Sequence, residues 1–178
     1  MNHEIIISGF GGQGVMAMGK TIVEAGMKEG RHVSWLPSYG PEMRGGTANC
    51  ALVVSDEPIV CPIVLEPSEL IAMNKPSLIK FEKDVTPDGV ILVNSSIVED
   101  KVQRTDVSTY YVPCTDIAYE LGNMKVANMV MLGAYIEATS YLSVDTIKEM
   151  LVHMFTGPKA KLVDLNIEAL KRGAACVH

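Results

Sequence analysis

The sequence predicts a single α/β domain over residues 1–178, with a mostly parallel sheet covered by helices on both faces. Three observations predict it. Short β-branched runs alternate along the chain with longer stretches of helical apolar spacing. A glycine-rich turn joins the first such run to the first such stretch. The length of 178 residues suits one domain with a substantial buried core.

Taken in order, Ile5 to Ser8 is a β-branched run that stops at Gly9 and reads as a buried strand. After the glycine turn, Val15, Met18, Ile22, Val23 and Ala25 recur at helical spacing, and Gly30 ends that helix. His32 to Leu36 is a second strand, so the unit implies a right-handed parallel crossover. Pro37 to Gly46, with two prolines and three glycines, is a loop. Ala48 to Val54 is a strand. Pro67 to Asn74 is expected to be a helix with Ser68 near its N-cap, and a second helical piece spans about Ser77 to Glu82. The turn Thr86-Pro87-Asp88-Gly89 precedes a strand at Val90 to Asn94, and another follows at Thr109 to Val112. The C-terminal half is helical. Thr115 caps a helix through Leu121, Ala127 to Thr139 forms a longer one, and Ser143 caps a third through Met154. Gly157-Pro158 breaks the chain before a last helix at about Asn166 to Ala175.

Composition narrows the function classes. A net charge of −6 with no basic run argues against nucleic-acid binding. No apolar run approaches the ~18 residues of a membrane span. The start Met-Asn-His-Glu-Ile-Ile-Ile reads as a strand and not as a secretory leader, so a cytoplasmic protein is expected. Cys50, Cys61, Cys114 and Cys176 lie far apart with no C-x-x-C pair, which argues against a metal or iron–sulfur site in this chain. Hydrophobic residues reach 48% with only 6% aromatics and 11 methionines; the methionines first suit core filling, and the apolar composition also suits a subunit with buried partner faces.

The turn Gly9-Phe10-Gly11-Gly12-Gln13-Gly14 fits G-x-G-x-x-G after a strand and before a helix, as in a Rossmann-like domain. Its glycines permit a tight turn and close approach, and leave the first helical N–H groups open to an anion. A dinucleotide site also needs an acidic residue at the end of the second strand, and Ser34-Trp35-Leu36-Pro37 supplies none. No Gly-Lys-Ser/Thr follows, which removes a Walker A loop. Two readings of the turn stay open: an anion or cofactor phosphate at the helix start, or glycines serving helix–strand packing alone.

The loop Ser38-Tyr39-Gly40-Pro41-Glu42-Met43-Arg44-Gly45-Gly46 follows the second strand, at the rim where parallel sheets gather ligand loops. Tyr39, Glu42 and Arg44 there suit a phosphate, a carboxylate or a partner chain, and Arg44 suits planar bidentate recognition. Pairing of Glu42 with Arg44 is the simpler use of the same residues.

These two motifs in order, with the helical segment Val126 to Ala134 carrying Asn128-x-x-x-Leu132-Gly133, resemble the γ subunit or domain of 2-oxoacid:ferredoxin (acceptor) oxidoreductases. The family includes pyruvate, 2-oxoglutarate, 2-oxoisovalerate and indolepyruvate forms, and the resemblance covers almost the whole chain. It implies an oxidoreductase subunit that is not catalytic alone, within a complex that converts a 2-oxoacid and coenzyme A to acyl-CoA, carbon dioxide and two electrons. Thiamine diphosphate, Mg²⁺ and iron–sulfur clusters are then expected in partner chains: α and β thiamine-binding subunits, and a ferredoxin-like δ subunit or ferredoxin. The resemblance, with the chemistry of the two loops, assigns Gly9, Gly11, Gly12, Gln13, Gly14, Ser38, Tyr39, Gly40, Glu42, Arg44, Gly45 and Gly46 to one surface. That surface is expected to face the thiamine subunits or the coenzyme A path, with Gln13 fixing its loop by side-chain hydrogen bonds. Two rival readings are an independent Rossmann-type nucleotide-binding protein and a purely structural subunit. A homodimer of the isolated chain is a further expectation.

Overall fold

The computed structural model describes residues 2–38 and 47–177. Among them the chain runs β1 (Asn2–Phe10), α1 (Val15–Lys28), β2 (His32–Ser38), β3 (Thr47–Ser55), β4 (Glu69–Ala72), α2 (Lys75–Phe81), β5 (Val90–Asn94) and β6 (Ser108–Val112). Four helices follow: α3 (Cys114–Glu120), α4 (Ala127–Thr139), α5 (Val144–Met154) and α6 (Lys161–Ala174). The strands form one sheet in the order β2-β3-β1-β4-β5-β6. β1, β4, β5 and β6 are parallel, and β3 runs antiparallel to both β1 and β2. The α/β domain with a mostly parallel sheet is thus observed, with one strand reversed.

That reversal changes the first crossover. β2 is parallel to β1 but is not its neighbour, because β3 returns beside β2 and inserts between them. The short link from β2 to β3 is long enough for an antiparallel return and too short for a parallel crossover.

Two apolar layers flank the sheet. One joins Ile5, Ile7, Leu52 and Val54 of the strands to Met18 and Ile22 of α1 and to the buried sides of α3 through α6. The other sets Ile6, Val53, Leu70 and Ile91 against Leu78 of α2 and the connecting segments. Helices cover both faces, five on one and one on the other. α4 is buried from Ala127 to Ile136 and shows no polar stripe, as expected for a helix enclosed on all sides. It crosses α6 with backbones in contact: a Cβ on Gly133 would collide with the Leu170 carbonyl, and one on Gly173 with the Val130 carbonyl.

The expected helix over Pro67 to Asn74 is instead strand β4. Ser68 caps no helix there; its hydroxyl accepts from Glu4 N at 3.0 Å and donates to Glu4 O at 3.2 Å, extending the β1–β4 seam. Thr115 is not the cap of α3, whose N-cap is Pro113; the Thr115 hydroxyl accepts from Asn94. α6 begins at Lys161, ahead of the expected start, because a 3-10 turn over Gly157–Lys159 feeds directly into it. Ser143 does cap α5, accepting from Asp145 N at 3.2 Å.

The amino rim of the parallel strands holds a buried polar cluster. His3 Nδ1 lies 2.8 Å from Glu69 Oε1, and Tyr135 OH lies 3.4 Å from Glu69 Oε2 and 2.9 Å from Tyr141 OH. The His3 ring stacks on Tyr141 with centroids 3.7 Å apart, and Arg31 donates to the Tyr141 carbonyl at 2.9 Å. Burial pushes both tyrosine hydroxyls well above their ordinary pKa. No described helix is long and apolar enough to cross a membrane.

Candidate functional site

The candidate site lies at the opposite rim. β1 sits where the chain changes direction across the sheet, since β2 and β3 build to one side and β4 to β6 to the other. Doubly wound folds form their crevice at the carboxyl ends flanking such a point, here between β1 and β4. In this chain Gln13 bridges it. The Phe10 N–H donates to Gln13 Oε1 at 2.6 Å, and Gln13 Nε2 donates to the Met73 carbonyl at 3.0 Å. Gly9 makes room for this bridge: a Cβ there would lie 2.6 Å from Gln13 Oε1 and 2.7 Å from Met73 Cβ.

Asn94, at the end of β5, donates to the same Met73 carbonyl at 3.3 Å and to Thr115 Oγ1 at 3.0 Å. The Met73 N–H donates to Ser8 O at 2.8 Å, and Ser77 and Ser8 share a hydroxyl bond of 2.8 Å. One carbonyl therefore ties the ends of β1, β4 and β5 to the start of α3. Every side chain in this network is neutral.

Gly14 enters α1 with φ of 75° and no side-chain cap. Met18 N makes the first bond along the helix, to Gly14 O at 2.9 Å, so the N–H groups of Val15, Met16 and Ala17 precede the ladder. The first turn carries no acidic residue, leaving the positive end of the helix unneutralised from within. Phe10, Gly11, Gly12, Gly14, Val15, Met16, Ala17 and Ala48 line an open concavity of about 280 Å³ over this turn. Gly11 and Gly12 are exposed, Gln13 and Gly14 are half-buried, and Gly9 is buried.

Of the second expected loop, Ser38 is the exposed end of β2, in register with Asn49. Thr47, on the far side of the loop, is in register with Phe10. Both stems therefore reach the rim that carries the glycine turn. Tyr39, Gly40, Glu42, Arg44, Gly45 and Gly46 lie outside the described residues. With β3 interposed, the end of β2 is ~10 Å from β1, two strand spacings, so even an acidic residue there would sit far from the turn for ribose recognition.

Beyond the polar side chains of this network (Asn94, Ser8, Ser77 and Thr115), two further contributors escaped the sequence reading. Met73 acts through its carbonyl, for which no side-chain signal exists. Asn128 was legible only as part of a helical motif; its Nδ2 lies 3.5 Å from Gly14 O, and a Cβ on Gly14 would come within 2.6 Å of it. Two cysteines border this rim separately, Cys50 with its Sγ 3.8 Å from the Val15 carbonyl and Cys114 at the start of α3. Cys50 and Cys114 are buried, and burial pushes their thiols up to about 11 and about 12, with the Trp35 indole opposing this for Cys50. Cys61 is exposed. Among the described residues no group of three His, Cys, Asp or Glu is placed to hold a metal ion.

Residues 4–176 match the family model described as pyruvate ferredoxin/flavodoxin oxidoreductase. The ketoisovalerate oxidoreductase subunit VorA of Methanothermobacter thermautotrophicus is 41% identical over 169 residues, covering 94% of this chain and 35% of VorA. The chain thus spans about a third of the length of the first curated relatives it matches. The 2-oxoglutarate synthase subunit KorC of Methanocaldococcus jannaschii is 37% identical over 155 residues, covering 85% of this chain and 83% of KorC. The solved keto/oxoacid ferredoxin oxidoreductase gamma subunit of Geobacter sulfurreducens superposes with a TM-score of 0.82 at 29% identity, covering 98% of each chain. With the glycine turn, the rim it stands on and the Asn128–Gly133 helix all falling inside the matched span, the chain belongs to the pyruvate ferredoxin/flavodoxin oxidoreductase family.

Proposed function

We propose that this chain is the γ component of a thiamine diphosphate-dependent 2-oxoacid:ferredoxin oxidoreductase, and that the glycine turn is its docking face toward the thiamine-binding partners and the path of coenzyme A. The observation that carries this reading is the Gln13 bridge. It closes the crevice where a Rossmann-type nucleotide would enter and leaves the outer surface of the turn, with open helical N–H groups, as the face on offer. The family match over residues 4–176 supports the complex, and disfavours an independent nucleotide-binding protein. In this reading thiamine diphosphate, Mg²⁺ and the iron–sulfur clusters reside on partner chains, and a ferredoxin or ferredoxin-like chain accepts the electrons. The turn and Arg44 of the adjoining loop receive negatively charged groups of coenzyme A or of the partner.

Gly12 offers the test. It is exposed, with φ of 93° and nothing within 4 Å of an added Cβ. Asn and Asp tolerate this backbone comparably and differ in charge. In the assembled complex, Gly12→Asp is expected to raise KM for coenzyme A about tenfold and Gly12→Asn less than about threefold, with kcat within about twofold for both. Weakened subunit association in both variants, at equal KM, assigns the face to docking alone. Unchanged KM and association in both sinks the proposal and leaves a purely structural subunit.

A further inference from the structure

The glycine turn is supported from the sheet by Gln13 and from the helical layer by one other side chain. Asn128 is the second residue of α4, mostly buried, and its amide lies across Gly14. The contact is close on several atoms: an added Gly14 Cβ would stand 2.6 Å from Nδ2, 2.8 Å from Cγ and 2.9 Å from Cβ of Asn128. Gly14 is the left-handed residue that aims the first turn of α1; its carbonyl is held along the helix by Met18 N at 2.9 Å and from α4 by Asn128, whose amide packs across it, so α4 helps set the direction of the open N–H groups. α4 is itself held by the backbone contacts of Gly133 with Leu170 and of Gly173 with Val130. The Asn-x-x-x-Leu-Gly segment thus joins two jobs on one helix: Gly133 seats the helix on α6, and Asn128 carries that seating to the turn.

We infer that Asn128 is a positioning residue, which sets the conformation of the glycine turn from α4 and thereby the readiness of the docking face. It reaches substrate or partner only through Gly14. Its functional readout rests on the docking-face reading given above; its conformational readout does not.

Asn128→Asp is the informative change. It keeps the size of the side chain, replaces the donor facing the Gly14 carbonyl with an acceptor, and places a carboxylate in the first turn of α4, where the helix dipole favours it. The helix dipole offsets part of the cost of burying that carboxylate, and Asn128→Ser, which buries no charge, separates lost positioning from lost global stability. In the complex assembled with its thiamine-binding partners, amide exchange of Gly11 to Ala17 is expected to quicken about tenfold while the β1, β4 and β5 amides keep their rates. KM for coenzyme A or the subunit dissociation constant is expected to rise about fivefold, with kcat within about twofold. Asn128→Ser, smaller and neutral, should give the same pattern more weakly if the aspartate variant fails to assemble. Faster exchange in the turn with unchanged KM and association supports the positioning role and overturns the docking-face reading instead. Unchanged exchange at Gly11 to Ala17, or exchange that quickens uniformly through the domain, overturns the inference.

Discussion

The two rims of the sheet are built from different chemistry. At the amino rim, His3, Glu69, Tyr135, Tyr141 and Arg31 form a buried cluster of ionisable and aromatic groups. At the carboxyl rim, Gln13, Asn94, Ser8, Ser77 and Thr115 form a network of neutral amides and hydroxyls around the Met73 backbone, and the Asn128 amide lies beside it against the Gly14 carbonyl. A buried ionisable cluster is strong only while all its partners are in place, and it presents nothing outward. A network of amides holds backbone in position without fixing a charge that an incoming anion would have to meet. Under the proposed function, the amino rim serves stability and the carboxyl rim serves presentation.

The largest expected effect tests the first half of that statement. Glu69→Ala leaves His3 Nδ1 and the Tyr135 hydroxyl facing an empty buried space, and should cost about 3–5 kcal/mol in denaturant unfolding. Where enough protein remains folded, its association with partner chains should be unaltered; selective loss of association would break the division between the rims.

Alkali should act on the buried thiols and on the tyrosines of the amino rim, while the Gln13–Met73 bridge, which has no ionisable group, does not titrate itself. Burial pushes the Cys50 thiol from its ordinary value near 9 up to about 11 in the folded chain. Between those values the unfolded chain releases a proton that the folded chain keeps. This stabilisation is complete below about pH 9 and is lost as pH rises toward 11, at about 1.4 kcal/mol for each pH step of one between them. Cys114 and the two rim tyrosines act with the same sign, the tyrosines from their ordinary value near about 10 upward. Urea midpoints at pH 8 and pH 10.5 measure the loss, and Cys50→Ala should reduce it. The exchange protection of the neutral Gln13–Met73 bridge, referred to global stability, should show no separate titration.

The smallest stability effect sharpens the second half. Gln13→Leu removes the bonds to Phe10 N and the Met73 carbonyl and should cost about 1–2 kcal/mol. Its loss of partner association should nonetheless exceed that of Glu69→Ala. The reverse ranking would mean that Gln13 is only a brace.

Much of this architecture was legible in the residues, for reasons that differ by element. The apolar spacing of α1 and the unbroken apolar run of α4 declared themselves because each is long enough for helical periodicity to show. β4 did not. Four residues, all buried, carry no readable period, and a glutamate among them looks like a helix surface until its partner His3, 66 positions away, is known. The reversal of β3 was hidden because strand sense is decided by pairing and not by local propensity. At the site, Gln13 could be expected to hold its own loop, since an amide beside glycines has few other uses, but the acceptor at Met73 is a backbone atom and has no sequence signature. Asn128 stood in a recognisable segment, yet its contact with Gly14 spans 114 positions.

The single tryptophan of the chain, Trp35, lies in β2, three residues before the strand ends, with Cys50 of the paired strand beside its indole. A thiol next to an indole quenches its emission, and a thiolate does so more strongly. The hairpin that leads to the second loop thus carries a native optical label, already coupled to a quencher. Any displacement of β2 against β3 on binding the proposed partner would register as a change in intrinsic fluorescence, with no dye attached.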